Sequence, residues 1–371
     1  MAKAQIAVSA PAMGKVLHVI TGLHTGGAER ALTTVALAGL QAGNPQTITA
    51  LTPGGANAVK LEAAGLRVLN LGMHRGFPNP LPIISLARII RRERPDVIQS
   101  WMYHADLVTL LALMISGRRR STRLFWGIRC SDMDFSRYGL RLRLVVRACA
   151  WLSRWPDGVI SNSEAGREVH KRLGYRPKRF EVVDNGIDPA RFALPRGARA
   201  EVRRALGIPA RATVIVMVAR VDPMKDYDLF LAALRQLPGV QALAIGAGTE
   251  ALPEVAGLHR LGRRDDVPNL LAAADILVSS SAFGEGFSNA IAEGMAAGLP
   301  IVATDVGDAR RIVGGAGKII PPGDCEALAG AIRALTVSRP ELRRLGADGR
   351  QRVAEMFSVK RTVAAFERIY S

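Results

Sequence analysis

The sequence predicts an α/β protein built of two doubly wound, open parallel-sheet domains in tandem. Three observations predict it. Short apolar strand-like runs alternate with helix-length segments along the whole chain, the pattern of repeated βα units. A Pro-, Gly- and Arg-rich passage at Pro189–Gly197 interrupts the alternation, and a fresh helix and strand follow it. The length, 371 residues, exceeds what one ordinary core supports.

The elements follow in order. Residues 1–13 carry a single Lys and a short apolar stretch broken by Pro11, which lacks the apolar core of a secretory signal and reads as a loose leader. The domain spanning 14–190 offers strands at Val16–Thr21, Thr47–Leu51, Arg67–Leu71, Val97–Ser100, Leu124–Gly127, Val159–Asn162 and Phe180–Val183. Helices at Ala28–Ala42, Leu81–Arg92, Ala105–Ile115 and Glu164–Leu173 lie between them. The second domain, 198–357, opens with a helix at Ala200–Leu206 and a strong strand at Thr213–Ala219. Strands at Val240–Ile245, Ile276–Ser279, Pro300–Thr304 and Gly317–Ile320 follow, with helices at Tyr227–Gln236, Val267–Ala273, Ser288–Ala297 and Cys325–Leu335. Pro340–Tyr370 reads as two amphipathic helices with a break near Phe357–Ser358. Such tandem sheets bind ligands in the crevice at the carboxyl ends of their strands.

Composition bounds the function. Three widely spaced cysteines, Cys130, Cys149 and Cys325, supply neither a disulfide framework nor a metal-binding pair, which points to a reducing cytosol. The longest apolar run, Leu107–Ser116, is about half of what a membrane-spanning helix needs. The net charge of +18 is uneven: residues 75–180 hold 21 Lys/Arg against 8 Asp/Glu, a net +13. A patch of this kind suits an anionic membrane surface, an acidic substrate or nucleic acid, and equally a merely soluble surface in an Arg-rich proteome. Nucleic acid ranks last and is not an expected partner, because the 19 aromatic residues are not interleaved with the charge as stacking platforms require.

The chemistry concentrates in Ala274–Gly307, which reads as strand, glycine-bearing loop, helix, turn and strand. The helix is placed to begin near Phe287 or Ser288, so backbone amides of Phe287, Ser288 and Asn289, with the positive end of the helix dipole, face the sheet edge ready for a phosphate. Gly284 and Gly286 allow close approach. Glu285 precedes those amides and Glu293 lies one turn beyond Asn289, so the carboxylates are read as hydroxyl ligands, Glu285 for a sugar ring and Glu293 for a ribose. Alone, that Glu pair is a weak signal. Arg220, at the end of Thr213–Ala219, and Lys225, five residues on, form a cationic clamp for a diphosphate leaving group. Gly246 and Gly248 end another strand, and Arg263 in Leu261–Arg264 precedes a helix where a flat base can sit.

With those segments in view, the sequence resembles the family 4 glycosyltransferases of the two-Rossmann, GT-B type over nearly its whole length. The marks are GGAER at Gly26–Arg30, SNSEAGREVHKRLGY from Ser161, DNGID at Asp184–Asp188, VARVDPMKD from Val218, GRRDDVPNLLAAADILVSSS from Gly262 and EGFSNAIAEGMAAGLPIVATDVG from Glu285. The resemblance implies two Rossmann-like domains facing across a cleft and retention of anomeric configuration. It implies no metal and no cofactor beyond a nucleotide-sugar cosubstrate lying along Arg220, Lys225, Glu285 and Glu293; the sequence leaves the base open, with UDP the expected nucleotide. It also implies that residues 358–371 pack back on the N-terminal domain, and that Gly26 and Gly27 approach the donor phosphates or the acceptor. A glycan or lipid-linked acceptor is expected. An epimerase of the same fold needs catalytic carboxylates and histidines that these motifs do not supply.

The acceptor side is less legible. His104 is the best placed of six histidines to position a sugar, and Arg129 stands where many family members carry a histidine near the transferred sugar. Asp132 and Asp134 form a D-x-D, read as chance or an acceptor contact rather than a metal site. Tyr138–Trp155 places Leu142, Val145 or Val146, Cys149 and Leu152 at helical spacing among arginines, with Trp151 and Trp155 near its end. It reads as a core helix with a charged outer face, or as a segment docking on the inner face of the cytoplasmic membrane.

Overall fold

The computed structural model describes residues 14–24, 26–73, 80–129, 131, 140–193 and 197–371. The leader, Cys130, Asp132 and Asp134 lie outside the described residues.

The first sheet contains β1 (Val16–Ile20), β2 (Gln46–Ala50), β3 (Arg67–Asn70), β4 (Val97–Trp101), β5 (Arg123–Ile128), β6 (Gly158–Ser161) and β7 (Phe180–Val182). Their order is β3-β2-β1-β4-β5-β6-β7 and every pairing is parallel. The second contains β8 (Val214–Val218), β9 (Gln241–Ile245), β10 (Leu258–Arg260), β11 (Ile276–Ser279), β12 (Ile301–Thr304) and β13 (Gly317–Ile320) in the order β10-β9-β8-β11-β12-β13, again all parallel. The two open parallel sheets predicted from the sequence are present.

Helices α1 (Gly27–Gln41), α2 (Ala56–Ala63), α3 (Leu81–Glu93), α4 (Tyr103–Ser116), α5 (Leu140–Leu152) and α6 (Glu164–Arg172) accompany the first sheet. Helices α7 (Ala198–Ala205), α8 (Tyr227–Arg235), α9 (Val267–Ala273), α10 (Asn289–Ala296), α11 (Ala309–Val313), α12 (Cys325–Thr336) and α13 (Arg339–Met356) accompany the second. The last, α14 (Val359–Tyr370), buries Phe366, Ile369 and Tyr370 among Val16, Ile20, Trp101 and Phe125 of the first domain.

The chain crosses between domains twice, and the crossings lie side by side. Ile187 N–H donates to Phe357 O at 2.8 Å and Val359 N–H to Ile187 O at 3.1 Å. Helix starts are set locally where a side chain caps them: Ser163 Oγ accepts from Gly166 N at 2.9 Å, and Asp226 and Asp324 cap α8 and α12 at 3.0 and 2.9 Å.

Three elements carry no sequence expectation: α2, β10 and α11. The last two are only three and five residues long, and lie below what periodicity resolves. Helix α4 begins two residues before the expected Ala105, because Met102 takes a positive φ of 74° and turns the chain directly from β4 into the helix. His104 therefore sits in the first turn of α4 and not in a loop.

Two histidines are locked neutral within the first domain. His18 Nε2 bonds Gln46 Oε1 at 3.0 Å while its Nδ1 accepts from Trp101 Nε1 at 3.3 Å. His170 Nδ1 donates to Gly166 O at 2.7 Å and its Nε2 accepts from Tyr103 OH at 2.8 Å. Burial lowers both from 6.5 to about 4. The unfolded chain therefore binds more protons between those values, and stability falls as pH drops through that window. Thermal melts should show Tm declining from pH 6.5 to 4, and His170→Gln should flatten the slope. An unchanged slope would place the acid sensitivity elsewhere.

Candidate active site

Strands β8 and β11 are neighbours, and the strand order reverses between them, so the loops that leave their carboxyl ends meet at one switch point. This is why Lys225 and Glu285, 60 residues apart, come together. Asp222 accepts from Met224 N at 2.9 Å and folds Pro223–Lys225 into a tight turn. Lys225 Nζ pairs with Glu285 Oε1, which also accepts from Ser281 Oγ at 2.7 Å. Ser280 Oγ lies 2.9 Å from the carbonyls of Lys225 and Asp226 and ties the two loops together. The ion pair is nearly enclosed, with side-chain exposures of 18% for Lys225 and 10% for Glu285. Arg220 lies on the solvent side of the same turn, 62% exposed, held by Asp222 at 3.0 Å.

Gly246 sits on the backbone of Ala219–Arg220 with φ 148°, where any Cβ would collide; Gly248 adjoins Val221. Arg263 is exposed in the loop between β10 and α9. The donor-side helix begins at Asn289, with Ser288 as its extended N-cap, so it starts one or two residues later than expected. The Phe287 side chain is buried edge-on against Phe357, 5.3 Å between centroids, and anchors the turn in the core. A Cβ on Gly286 would stand 3.1 Å from Asn162 Oδ1 and Ser163 Oγ of the first domain, so this glycine serves close packing between domains.

From the other side, Gly26 is the extended N-cap of α1 and Gly27 its first residue. A Cβ on Gly27 would lie 4.0 Å from Asn289 Nδ2. The N-termini of α1 and α10, one from each domain, thus converge, and their dipoles present two positive ends to the same point. Arg30 reaches across to Glu293 at 3.1 Å. Burial nevertheless holds the Glu293 carboxyl above its ordinary range, outweighing the Arg30 and Arg191 charges. A pocket between α1 and α10, lined by Arg30, Asn185, Arg191, Asn289 and Glu293, adjoins this point and stops short of Arg220 and Lys225.

The acceptor-side residues fall differently. His104 is on the first turn of α4, and partial burial holds its imidazole below the usual range. Arg129 is enclosed, its guanidinium 4.5 Å over the Trp101 ring, and burial pushes it down to about 10. Its Nη1 donates to Asn185 Oδ1 at 2.7 Å, and Asn185 Nδ2 donates to Asn289 Oδ1 at 2.9 Å.

Sequence reasoning left several contacts unread. Asp308 accepts from the first two amides of α6, Glu164 N at 3.0 Å and Ala165 N at 2.9 Å. Arg311 joins Asp308 at 2.8 Å and pairs with Asp184. Ser131 Oγ donates to Glu285 O. Asn185 stands inside the motif DNGID, which was the one available signal for it.

Comparison with known proteins adds to this geometry. Residues 25–191 match the family described as Glycosyltransferase Family 4, and residues 212–337 match Glycosyl transferases group 1. The chain is 27% identical over 340 residues to the lipopolysaccharide core biosynthesis mannosyltransferase LpsB of Rhizobium meliloti (strain 1021), covering 83% of this chain and 89% of that protein. It is 34% identical over 250 residues to a D-inositol 3-phosphate glycosyltransferase of Salinispora arenicola (strain CNS-205), covering 58% of this chain and 54% of that one. In fold it is similar to Anabaena Alr3699/HepE crystallised with UDP and glucose, with a TM-score of 0.83 at 22% identity, over 96% of this chain and 99% of the other.

Glu293 gives a pH test. Ionising a carboxyl whose folded pKa is raised costs more in the folded chain than in the unfolded one, so the penalty is absent at acid pH and present near neutrality. Glu293→Gln should therefore melt at or above wild type near neutral pH, with the difference vanishing below about pH 4. A lower melting point at neutral pH would mean that the Arg30 pair outweighs the burial cost.

Proposed function

The chain is a family 4 glycosyltransferase of GT-B architecture, and on that premise we propose that it transfers a hexosyl unit from a UDP-sugar to a polysaccharide or lipid-linked glycan, with retention and without a metal. The observation that carries the donor reading is the convergence of two helix N-termini, with Lys225 held by Glu285 on the turn that leads into α10. A diphosphate needs what that point supplies: backbone amides, dipole ends and fixed cations, all strongest where charge grows as the glycosidic bond breaks. UDP as the nucleotide draws on the HepE complex, and the glycan acceptor on the lipopolysaccharide role of LpsB.

In this reading, diphosphate entry takes over Arg220 and Lys225 from Asp222 and Glu285. Glu285 is then free to accept from the sugar hydroxyls, and Glu293 from the ribose. The anomeric carbon leaves the diphosphate oxygen and bonds the acceptor oxygen on the same face, while the acceptor's proton passes to the departing phosphate. No protein base is needed, and His104 is left to position a sugar.

The acceptor domain also carries a surface suited to anionic lipid. Along one stripe of α5, Leu140 is 69%, Leu144 55% and Trp151 70% exposed, with Arg147 among them. On the neighbouring α4, Ile115 at 53% and Met114 at 45% are also exposed, followed by Arg118–Arg120. No helix of the described residues is long and apolar enough to cross a membrane. Apolar side chains flanked by arginines suit docking in the plane of the interface, at the inner face of the cytoplasmic membrane.

In a thermal-shift screen, UDP should raise the melting temperature above GDP, ADP and CMP, and Lys225→Ala should lower kcat by about 2 to 4 kcal/mol of barrier with EDTA harmless to the wild type. No nucleotide response, or activity abolished by EDTA and restored by manganese, would overturn the reading. Separately, wild type should float with anionic liposomes and an Arg147→Glu/Trp151→Ala variant should not; equal flotation would remove the membrane contact.

A further inference from the structure

The segment after β5 belongs to the acceptor domain, yet it reaches both ends of the donor-site turn. Ser131 Oγ donates to the Glu285 carbonyl at one end. Arg129 acts on the other end through Asn185, whose amide nitrogen donates to Asn289 Oδ1 at 2.9 Å. The Arg129 guanidinium is fixed by its stack on Trp101, 4.5 Å from the ring centroid. Its Nε and Nη2 are buried, with no hydrogen-bond partner among the described residues. A guanidinium with two nitrogens kept out of water and, among the described residues, one amide oxygen as its bonded partner is costly, and stays only where the surrounding structure holds it. What it gains is one directed bond, along which its orientation passes to Asn185 and then to the first residue of α10.

We propose that Arg129 is a positioning residue for the donor site, acting through Asn185 to set Asn289 while Ser131 holds Glu285. The inference rests on the reading of α10 as the diphosphate site. It gives Arg129 a role distinct from contact with the acceptor. The turn from Glu285 to Asn289 has its working shape only while the acceptor domain touches it, so donor geometry and cleft closure are one event.

The test compares the full-length wild type with Arg129→Met, Asn185→Ala and their double variant, by calorimetry with UDP and with UMP. The gain in affinity from UMP to UDP isolates the β-phosphate, which α10 would meet. That gain should fall roughly tenfold in each single variant, since small misplacements of a binding group are costly. The double variant should fall no further than either single, because both act on one relay. UMP binding should stay as in wild type for Arg129→Met, which is not among the residues lining the pocket. Equal weakening of UMP and UDP, additive losses or an unchanged gain would each overturn the proposal. Ser131→Ala, which leaves the buried stack intact, guards against misfolding: it should reduce kcat without moving the melting temperature, and an unchanged kcat counts against the clamp. A wild type that binds no nucleoside diphosphate sinks the donor reading itself, a separate result.

Discussion

The arrangement of the cleft depends on the place where the chain passes twice between domains. Ile187 and Ser358 pair as a single parallel bridge, with Ile187 bonded to both Phe357 and Val359. All of the second domain lies in sequence between those crossings, so its orientation is carried by this short ladder. Its strength comes from either side. Helix α14 is part of the first domain's core, and Thr362 on it donates to Asp184 O at 2.9 Å. Asp184 in turn pairs with Arg311 of the second domain, whose neighbour Asp308 caps α6 of the first. Hinges of this type need few residues, because the ladder fixes the axis and the charged contacts fix the angle.

With the angle fixed, the charges on the cleft walls fall into pairs. Arg220 is held by Asp222, Lys225 by Glu285 and Arg30 by Glu293. At Lys225 the carboxylate prevents an uncompensated cation in a partly dehydrated place, where such a charge is expensive. The pairs differ in strength. Arg220 is exposed and screened, so its bond is weak, while Lys225 and Glu285 are mostly enclosed and hold each other firmly. Exchange of partners at Lys225 nearly conserves the count of ion pairs. At the convergent helix ends, the carboxylate of Glu29 folds back on the start of α1, whereas α10 has neither a side-chain cap nor an acidic residue in its first turn, so its dipole supplies surplus attraction for an anion.

The sheets were legible because parallel strands buried on both faces read as unbroken apolar runs, and Val214–Val218 and Ile276–Ser279 are of that kind. The donor side was legible in outline for a related reason: glycines and charges at strand ends stand out against apolar surroundings. What stayed hidden was pairing. Nothing local says that Arg220 turns to Asp222 rather than outward, or that Phe287 serves the core. Short elements such as β10 and α11 were also hidden, since three to five residues cannot display a period. His104 was left just outside its helix because a positive φ at a methionine has no sequence signature.

Arg129 shows why cleft residues resist sequence reading most. A sequence assigns a residue to its own domain, and Arg129 directly follows a strand of the first. Its consequence is felt in the second, through an asparagine on the crossing segment and another at a helix start. Gly286 carries the same lesson in reverse: a glycine that invites a ligand on paper is occupied by Asn162 and Ser163 of the opposite domain. Both residues make the donor turn a shared construction. A turn built by two domains is complete only when they meet, and the contacts that complete it also exclude water from Lys225 and Glu285, strengthening their interaction with whatever charge enters.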